Sequence, residues 1–131
     1  TVRVCGVTRG LAELPGRAEN GGASGHGLLE FIHSGVMGSM FTRYAPPAVV
    51  NLNWTRTFTP PLLRKDMDLG LSAAKRLGVS LPVAAATREL VQQSIDMGHT
   101  ECDFGILLEM VAAASEMQLT PENVEVNDGL S

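Results

Sequence analysis

The clearest hydrophobic pattern in the chain begins near Thr59 and has the spacing of an amphipathic helix. Apolar and small side chains recur at intervals of four and three residues, at Leu63, Met67, Gly70, Ala74 and Leu77. This spacing places them on one stripe of a helix. Thr59 has the residue type of an N-cap, the two prolines after it suit a first helical turn, and Gly78 suits a helix end. We therefore predict a helix from about Pro60 to Leu77.

Two further amphipathic segments follow at short intervals. Ser80 and Pro82 predict the start of a second helix, and Gly98 predicts its end. Thr100 and Asp103 have the spacing of a capping box for a third helix. The expected buried positions of these two helices are Val83, Ala86, Leu90 and Ile95, and then Phe104, Leu107, Leu108, Val111 and Ala114. Short connections favour antiparallel neighbours, so the pattern predicts an all-α bundle.

The first part of the chain is less regular. Residues 26–34 predict a short amphipathic helix that ends at Gly35, and the β-branched residues of 48–57 predict an extended connection. Residues 1–25 contain many glycines and Pro15. In a helix interior a glycine costs about 1 kcal/mol of stability and a proline about 3 kcal/mol. We therefore predict an irregular arm over residues 1–25, a helical domain over 26–124 and a mobile acidic tail over 125–131.

Composition narrows the function classes. The chain has 131 residues, of which 44% are hydrophobic and 18% charged, which favours one folded domain. The net charge is −4 and the basic residues are scattered, which argues against a nucleic-acid partner. No apolar run approaches the roughly 20 residues that cross a bilayer, so no membrane partner is expected. The N-terminus lacks a signal pattern, which favours the cytoplasm.

The common motifs of metal and nucleotide sites are absent from the sequence. Cys5 and Cys102 are far apart and are expected to be free thiols. Cys102 adjoins a predicted helix start, where a thiol pKa can fall, but no sequence neighbour is an obvious catalytic partner. The three histidines, His26, His33 and His99, are too widely spaced for a local metal motif. No GxGxxG, P-loop or βαβ alternation is present, so no complete nucleotide-binding domain is predicted.

Lys65 is the charged residue with the strongest indication of a function. It follows the first turn of the helix predicted from Pro60, where the helix dipole favours acidic rather than basic side chains. A residue placed against local preference is a modest sign of function. The alternative is a solvated lysine that pairs with Asp66 or Asp68. Spacing alone leaves both interpretations open.

Several short motifs from Phe58 onward have the order and spacing of a known family. They are Phe58, Leu62-Leu63, Lys65-Asp66 and Leu69, then Leu77-Gly78 and Leu81-Pro82-Val83, then Gly98, Asp103-Phe104 and Leu107. Leu28-Leu29-Glu30 and residues 34–39 add upstream matches. Together they resemble the β-hydroxyacid dehydrogenases, which include 3-hydroxyisobutyrate dehydrogenases and tartronate semialdehyde reductases. The resemblance covers roughly His26 to Ser115.

The resemblance implies a fold and a role. In that family a Rossmann domain binds NAD or NADP. An all-helical C-terminal domain, like that of 6-phosphogluconate dehydrogenase-like enzymes, closes over the nicotinamide and takes part in homodimers or larger homo-oligomers. The lysine of the KD motif touches the cofactor and the preceding phenylalanine helps to form the wall of the cleft. The resemblance therefore implies cofactor-binding roles for Lys65 and Phe58, and no metal site.

The sequence departs from the family pattern at its beginning. The family's catalytic lysine lies in a glycine-rich run at the start of a long interdomain helix. Counting back from residues 11–13, that lysine falls before Thr1, and Thr1 stands near the position of a family asparagine. Pro15 and Gly16 interrupt the expected helix, so residues 1–25 are alternatively a degenerate end of it.

Two functional hypotheses follow. In the first, the chain is the C-terminal domain of an NAD(P)-dependent β-hydroxyacid dehydrogenase or reductase. Its partner is then a missing Rossmann domain, no residue of this chain is catalytic, and the chain alone is expected to be inactive with no cofactor bound. In the second, the chain is a non-catalytic helical module for self-association or binding, because an apolar helix face without its Rossmann partner would be exposed.

Overall fold

The computed structural model describes residues 24–35 and 46–126. Within these ranges the regular structure is entirely helical, which confirms the predicted all-α class. The helices are α1 (Gly25–Ser34), α2 (Pro46–Asn51), α3 (Pro60–Arg76), α4 (Pro82–Asp96) and α5 (Leu107–Ala114), with a 3-10 turn at Phe104–Ile106 before α5. No helix in these ranges is long and apolar enough to span a bilayer. The cytoplasmic location stays a prediction.

The chain divides into two compact units. We call the unit that contains Trp54–Leu107 the hairpin unit, and the unit that contains the described residues before Trp54 and after Leu107 the flanking unit. The arm predicted over residues 1–25 lies almost wholly outside the described residues, as does residue 127 onward in the predicted tail. The predicted domain boundaries stay predictions.

In the hairpin unit, α3 and α4 pack against each other as an antiparallel pair. Side-chain hydrogen bonds join Arg64 to Gln92 and Asp68 to Arg88. The later residue of α3 thus bonds to the earlier residue of α4, as in an antiparallel pair. On α3 the buried positions include Leu63, Met67 and Ala74, as the spacing predicts. Leu77 lies beyond the helix end and is 78% exposed, so its predicted burial is wrong.

The buried residues of α4 are the sequence neighbours of the residues that were predicted to be buried. The structure buries Ala84, Thr87, Val91 and Ser94, whereas Val83 is exposed. Thr87 satisfies its hydroxyl locally by donating to the Val83 carbonyl at 2.9 Å. Small and hydroxyl-bearing residues therefore lie on the buried face of α4, and a search for large apolar residues does not find them.

The helix ends follow local sequence signals only in part. Thr59 is the N-cap of α3 by position but its side chain makes no capping hydrogen bond, and Leu81 rather than Ser80 precedes α4. Gly78 and Gly98 adopt positive φ angles of 67° and 93°, which glycine tolerates best. The predicted capping box at residue 100 is not formed, because Asp103 is itself the N-cap of the 3-10 turn.

The flanking unit contains a helix that the sequence pattern did not predict. Residues 46–51 form α2, whereas an extended connection was expected from residue 48. Leu29 of α1 and Val50 of α2 are buried. The Asn51 side-chain amide exchanges two hydrogen bonds with the Val124 backbone, at 2.8 and 3.2 Å. The chain near Val124 is thereby held against α2.

Candidate functional site

The residues that lead into α3 are held by the carboxylate of Asp103. Asp103 is only 8% exposed. Its Oδ2 atom accepts hydrogen bonds from the Thr57 hydroxyl and, at 3.1 Å, from the Phe58 N–H. Its Oδ1 atom accepts from the Gly105 N–H at 2.8 Å. A buried carboxylate is costly unless its oxygens are hydrogen-bonded, and here both oxygens have donors.

Backbone and ring contacts reinforce this connection. The Asp103 N–H donates to the Trp54 carbonyl at 3.1 Å, and the Phe104 N–H donates to the Phe58 carbonyl at 2.9 Å. The rings of Phe58 and Phe104 meet edge to face, with centroids 6.1 Å apart and planes at 84°. That geometry is favourable for aromatic pairs. We call the residues that make these contacts the Asp103 cluster: Trp54, Thr57, Phe58, Asp103, Phe104 and Gly105.

Lys65 lies on the second turn of α3 and points into solvent. Its side chain is 63% exposed, and its Nζ atom lies 3.3 Å from Asp66 Oδ1. An exposed ion pair of this kind contributes little stability, so the ammonium group is available to a ligand. Side chains on a helix lean toward its N-terminus, which is the end of α3 that Phe58 precedes. Lys65 and Phe58 thus belong to the same part of the hairpin unit.

A second set of polar contacts involves two other charged residues of α3, Arg64 and Asp68. Asp68 accepts a hydrogen bond from Arg88 Nε at 2.9 Å and lies 3.6 Å from Arg64 Nε. The hydrogen bond to Asp68 raises the pKa of the Arg88 guanidinium above its ordinary value, so Arg88 stays protonated. Arg64 also donates to Gln92 at 2.6 Å. Asp68 therefore serves the α3–α4 contact, and the neighbour of Lys65 is Asp66.

Among the described residues, which do not include Cys5, neither Cys102 nor the metal-binding residue types form an alternative site. Burial raises the pKa of the Cys102 thiol, opposite to the lowering that a helix start can cause. A raised pKa leaves less thiolate at neutral pH, so Cys102 is a poor nucleophile. In the ranges that the structure describes, no group of three or more His, Cys, Asp or Glu side chains is arranged to hold a metal ion.

The sequence pattern predicted site residues at Lys65 and Phe58 but did not predict the Asp103 cluster. It predicted Asp103 as the partner of Thr100 in a capping box, whereas in the structure Asp103 is itself an N-cap whose Oδ1 accepts from the Gly105 N–H. It gave no role to Thr57, and it could not connect Asp103 to Phe58, 45 positions earlier. The Phe58 and Asp103-Phe104 motifs were the available signal, because both belong to the same family pattern.

Comparison with known proteins identifies the family. Residues 7–111 match the family described as "NAD-binding of NADP-dependent 3-hydroxyisobutyrate dehydrogenase". The chain belongs to this family. The match contains Lys65, Phe58 and Asp103, and it begins in the segment predicted to be an irregular arm. The resemblance to β-hydroxyacid dehydrogenases is confirmed.

Two individual relatives of the chain are named as reductases. Glyoxylate/succinic semialdehyde reductase 1 of Arabidopsis thaliana is 28% identical over 76% of this chain and 34% of its own length. The 3-sulfolactaldehyde reductase of Escherichia coli is 31% identical over 59% of this chain and 26% of its own length. The chain therefore spans only about a quarter to a third of the curated relatives that it matches.

A solved structure shows the same fold. The 3-hydroxyisobutyrate dehydrogenase of Salmonella typhimurium superposes with a TM-score of 0.73 at 19% sequence identity, over 83% of this chain and 39% of that protein. At this identity the likeness concerns the fold alone. It supports the helical architecture of the family for this chain.

Proposed function

We propose that the chain is the helical C-terminal domain of an NAD(P)-dependent β-hydroxyacid dehydrogenase or reductase. In this proposal it closes over a nicotinamide cofactor that a Rossmann domain binds, and it contributes Lys65 and Phe58 to the cleft. The observation that carries the proposal is the match of residues 7–111 to a family described by NAD binding.

The side chains at the start of α3 fit such a cofactor. Lys65 presents an exposed ammonium group, a suitable donor for the anionic or polar groups of a dinucleotide. Phe58 is partly exposed, and its ring is backed by Phe104, which leaves an aromatic wall of fixed position. Leu62 and Leu69 lie on the same face of α3 as Lys65 and are exposed, so the lysine has an apolar border.

Each residue has a separate task in this proposal. The cofactor, when bound, carries the hydride, and the protein supplies placement and charge. Lys65 donates hydrogen bonds to the cofactor from the helical side of the cleft. Phe58 excludes water from one side of it. Both oxygens of Asp103 accept hydrogen bonds from within the chain, so Asp103 supports this wall.

The test compares two exposed lysines of α3 in an enzyme that joins this chain to its Rossmann domain. Lys65→Ala is expected to weaken NADH or NADPH binding by about ten- to a hundredfold, because a hydrogen bond from a charged donor contributes about 1.5–3 kcal/mol. Lys75→Ala is the control, because Lys75 is an exposed lysine in the last turn of the same helix. Equal affinity of Lys65→Ala and the unchanged protein would refute the role of Lys65.

Homo-oligomerisation is a second proposed role. It is supported by the exposed apolar side chains around the turn between α3 and α4, Leu77, Val79 and Val83, because neighbouring exposed apolar side chains favour association. Light scattering over a range of concentrations tests it, with Val79→Lys as the variant expected to reduce association. A monomer at every concentration would exclude this role, and would also remove the support for a non-catalytic association module.

A further inference from the structure

The Asp103 carboxylate makes more contacts than the 3-10 turn beside it requires. Capping that turn uses one oxygen, Oδ1, which accepts from Gly105. The other oxygen accepts from the Thr57 hydroxyl and the Phe58 N–H, which belong to a segment 45 to 46 residues away in sequence. Every one of these donors is a neutral group. The Oδ2 atom therefore binds the segment that leads into α3.

The bonds around Phe58 leave its backbone little freedom. Its N–H donates to Asp103, and its carbonyl accepts from the Phe104 N–H. Its ring contacts the Phe104 ring edge to face. Phe58 directly precedes Thr59, the N-cap of α3, so the same bonds also fix where the helix of Lys65 begins. One buried side chain thus governs the position of both residues assigned to the cofactor.

We infer that Asp103 is a positioning residue of the nicotinamide site: its buried carboxylate holds Phe58 and the start of α3 in their binding arrangement before the cofactor arrives. This inference rests on the proposed function of Phe58 and Lys65. The physical basis is preorganisation, because a wall that is already ordered loses less conformational entropy when a ligand binds. Asp103 does not touch the cofactor and acts only through the residues that it holds.

The main experiment is a comparison of two carboxylates that bridge the same two segments. Asp103→Asn removes one acceptor oxygen from a buried position, whereas Glu101→Gln makes the same chemical change at a side chain that is 79% exposed and paired with Arg56. In the enzyme that joins this chain to its Rossmann domain, Asp103→Asn is expected to weaken NADH or NADPH binding about tenfold, which corresponds to about 1.4 kcal/mol. Glu101→Gln is expected to change the affinity less than twofold.

A double-variant cycle separates positioning from general destabilisation. If Asp103 acts through Phe58, Asp103→Asn should cost little further affinity once Phe58→Leu is present. Full additivity of the two losses would overturn the inference. Amide hydrogen exchange on the chain supplies a readout without cofactor: Asp103→Asn should speed exchange at the N–H groups of Phe58 and Gly105 but not in the middle of α4. Uniformly faster exchange would also overturn it.

The remaining outcomes distinguish the inference from the proposed function. A loss of affinity in Lys65→Ala and Phe58→Leu with none in Asp103→Asn would refute the inference alone. No loss in any of the three would refute both. If Asp103→Asn does not fold, two substitutions of Thr57 test the inference instead. Thr57→Val lacks the hydroxyl donor and should weaken cofactor binding. Thr57→Ser keeps the hydroxyl and should bind the cofactor as tightly as the unchanged protein. Equal affinities for the two Thr57 variants would then overturn the inference.

Discussion

The two ends of α3 are held in place by different kinds of contact. At the Phe58 end, the chain before the helix is bonded to residues near Asp103, about 45 positions later in the sequence. At the Leu77 end, the backbone bonds among the described residues run to the preceding turn, with Leu77 donating to the Ala73 carbonyl and Val79 to the Ala74 carbonyl. One end is therefore fixed by a distant segment and the other by its own helix.

Burial differs between the ends in the same direction. Phe104, Ile106 and Leu107 are buried in the part of the hairpin unit that contains the Asp103 cluster. Leu77 and Val79, beyond the other end of α3, are exposed. Since buried apolar area is the main source of stability, substitutions at the Phe58 end should be the more damaging. The end with the greater number of fixed contacts is also the end that bears the proposed site.

Among the substitutions that compare the two ends of α3, Phe104→Ala is expected to reduce stability most. It removes a side chain that is 8% exposed and takes away the ring that contacts Phe58, so it should lower the free energy of unfolding by about 3–5 kcal/mol. Leu77→Ala, at the exposed end, should change it by no more than about 0.5 kcal/mol. Chemical denaturation followed by far-ultraviolet circular dichroism measures both. Similar losses would show that the two ends are equally important for stability.

Asp103→Ala should come next. It leaves the Thr57 hydroxyl and the N–H groups of Phe58 and Gly105 without their acceptor, and the loss of these three part-buried hydrogen bonds should cost about 2–3 kcal/mol. Glu101→Ala removes an exposed carboxylate two residues earlier and should cost less than about 1 kcal/mol. The same denaturation experiment applies. Equal effects would mean that solvent replaces the Asp103 contacts without loss.

Gly78→Ala tests the Leu77 end by itself. Gly78 has a φ of +67° with open space around it, so a methyl group meets no neighbouring atom and the cost is confined to the backbone. A left-handed conformation costs a residue with a β-carbon about 1–2 kcal/mol. Gly78→Asn should cost less, because asparagine tolerates this conformation. Equal stability of all three proteins in thermal unfolding would show that the turn relaxes into another conformation.

The local elements were predictable from sequence to different degrees. Helix α3 was predicted almost to its ends because Thr59, two prolines and Gly78 are strong local signals. The same proline pair occurs at residues 46 and 47, where it begins α2, but the β-branched residues after it favoured an extended segment. The short helix α2 is stabilised by burial of Val50 and by backbone hydrogen bonds to later residues. Local helix propensity does not include either contribution.

The site was predictable only residue by residue. The resemblance selected Lys65 and Phe58, whereas the helix position of Lys65 was a modest sign that left a solvated lysine paired with Asp66 or Asp68 as the alternative. Asp103 carried a local signal for capping, but its bonds to Thr57 and Phe58 depend on the path of the chain between them. A single sequence shows which residues can form a bond and not which distant segments meet. The connection that holds the proposed site together was therefore visible only in the structure.

The smallest expected effect comes from the exposed ion pair at the Phe58 end. Arg56 Nη1 lies 2.7 Å from Glu101 Oε2, and both side chains are mostly exposed, at 61% and 79%. A double-variant cycle with Arg56→Ala and Glu101→Ala should give a coupling below about 1 kcal/mol that declines as salt is added. This pair joins the same two segments as the Asp103 contacts. Comparing the two sets of contacts therefore shows the effect of burial, because the segments that they join are the same. A coupling as large as the loss in Asp103→Ala would show that the connection itself, rather than the burial of its charge, stabilises this end of α3.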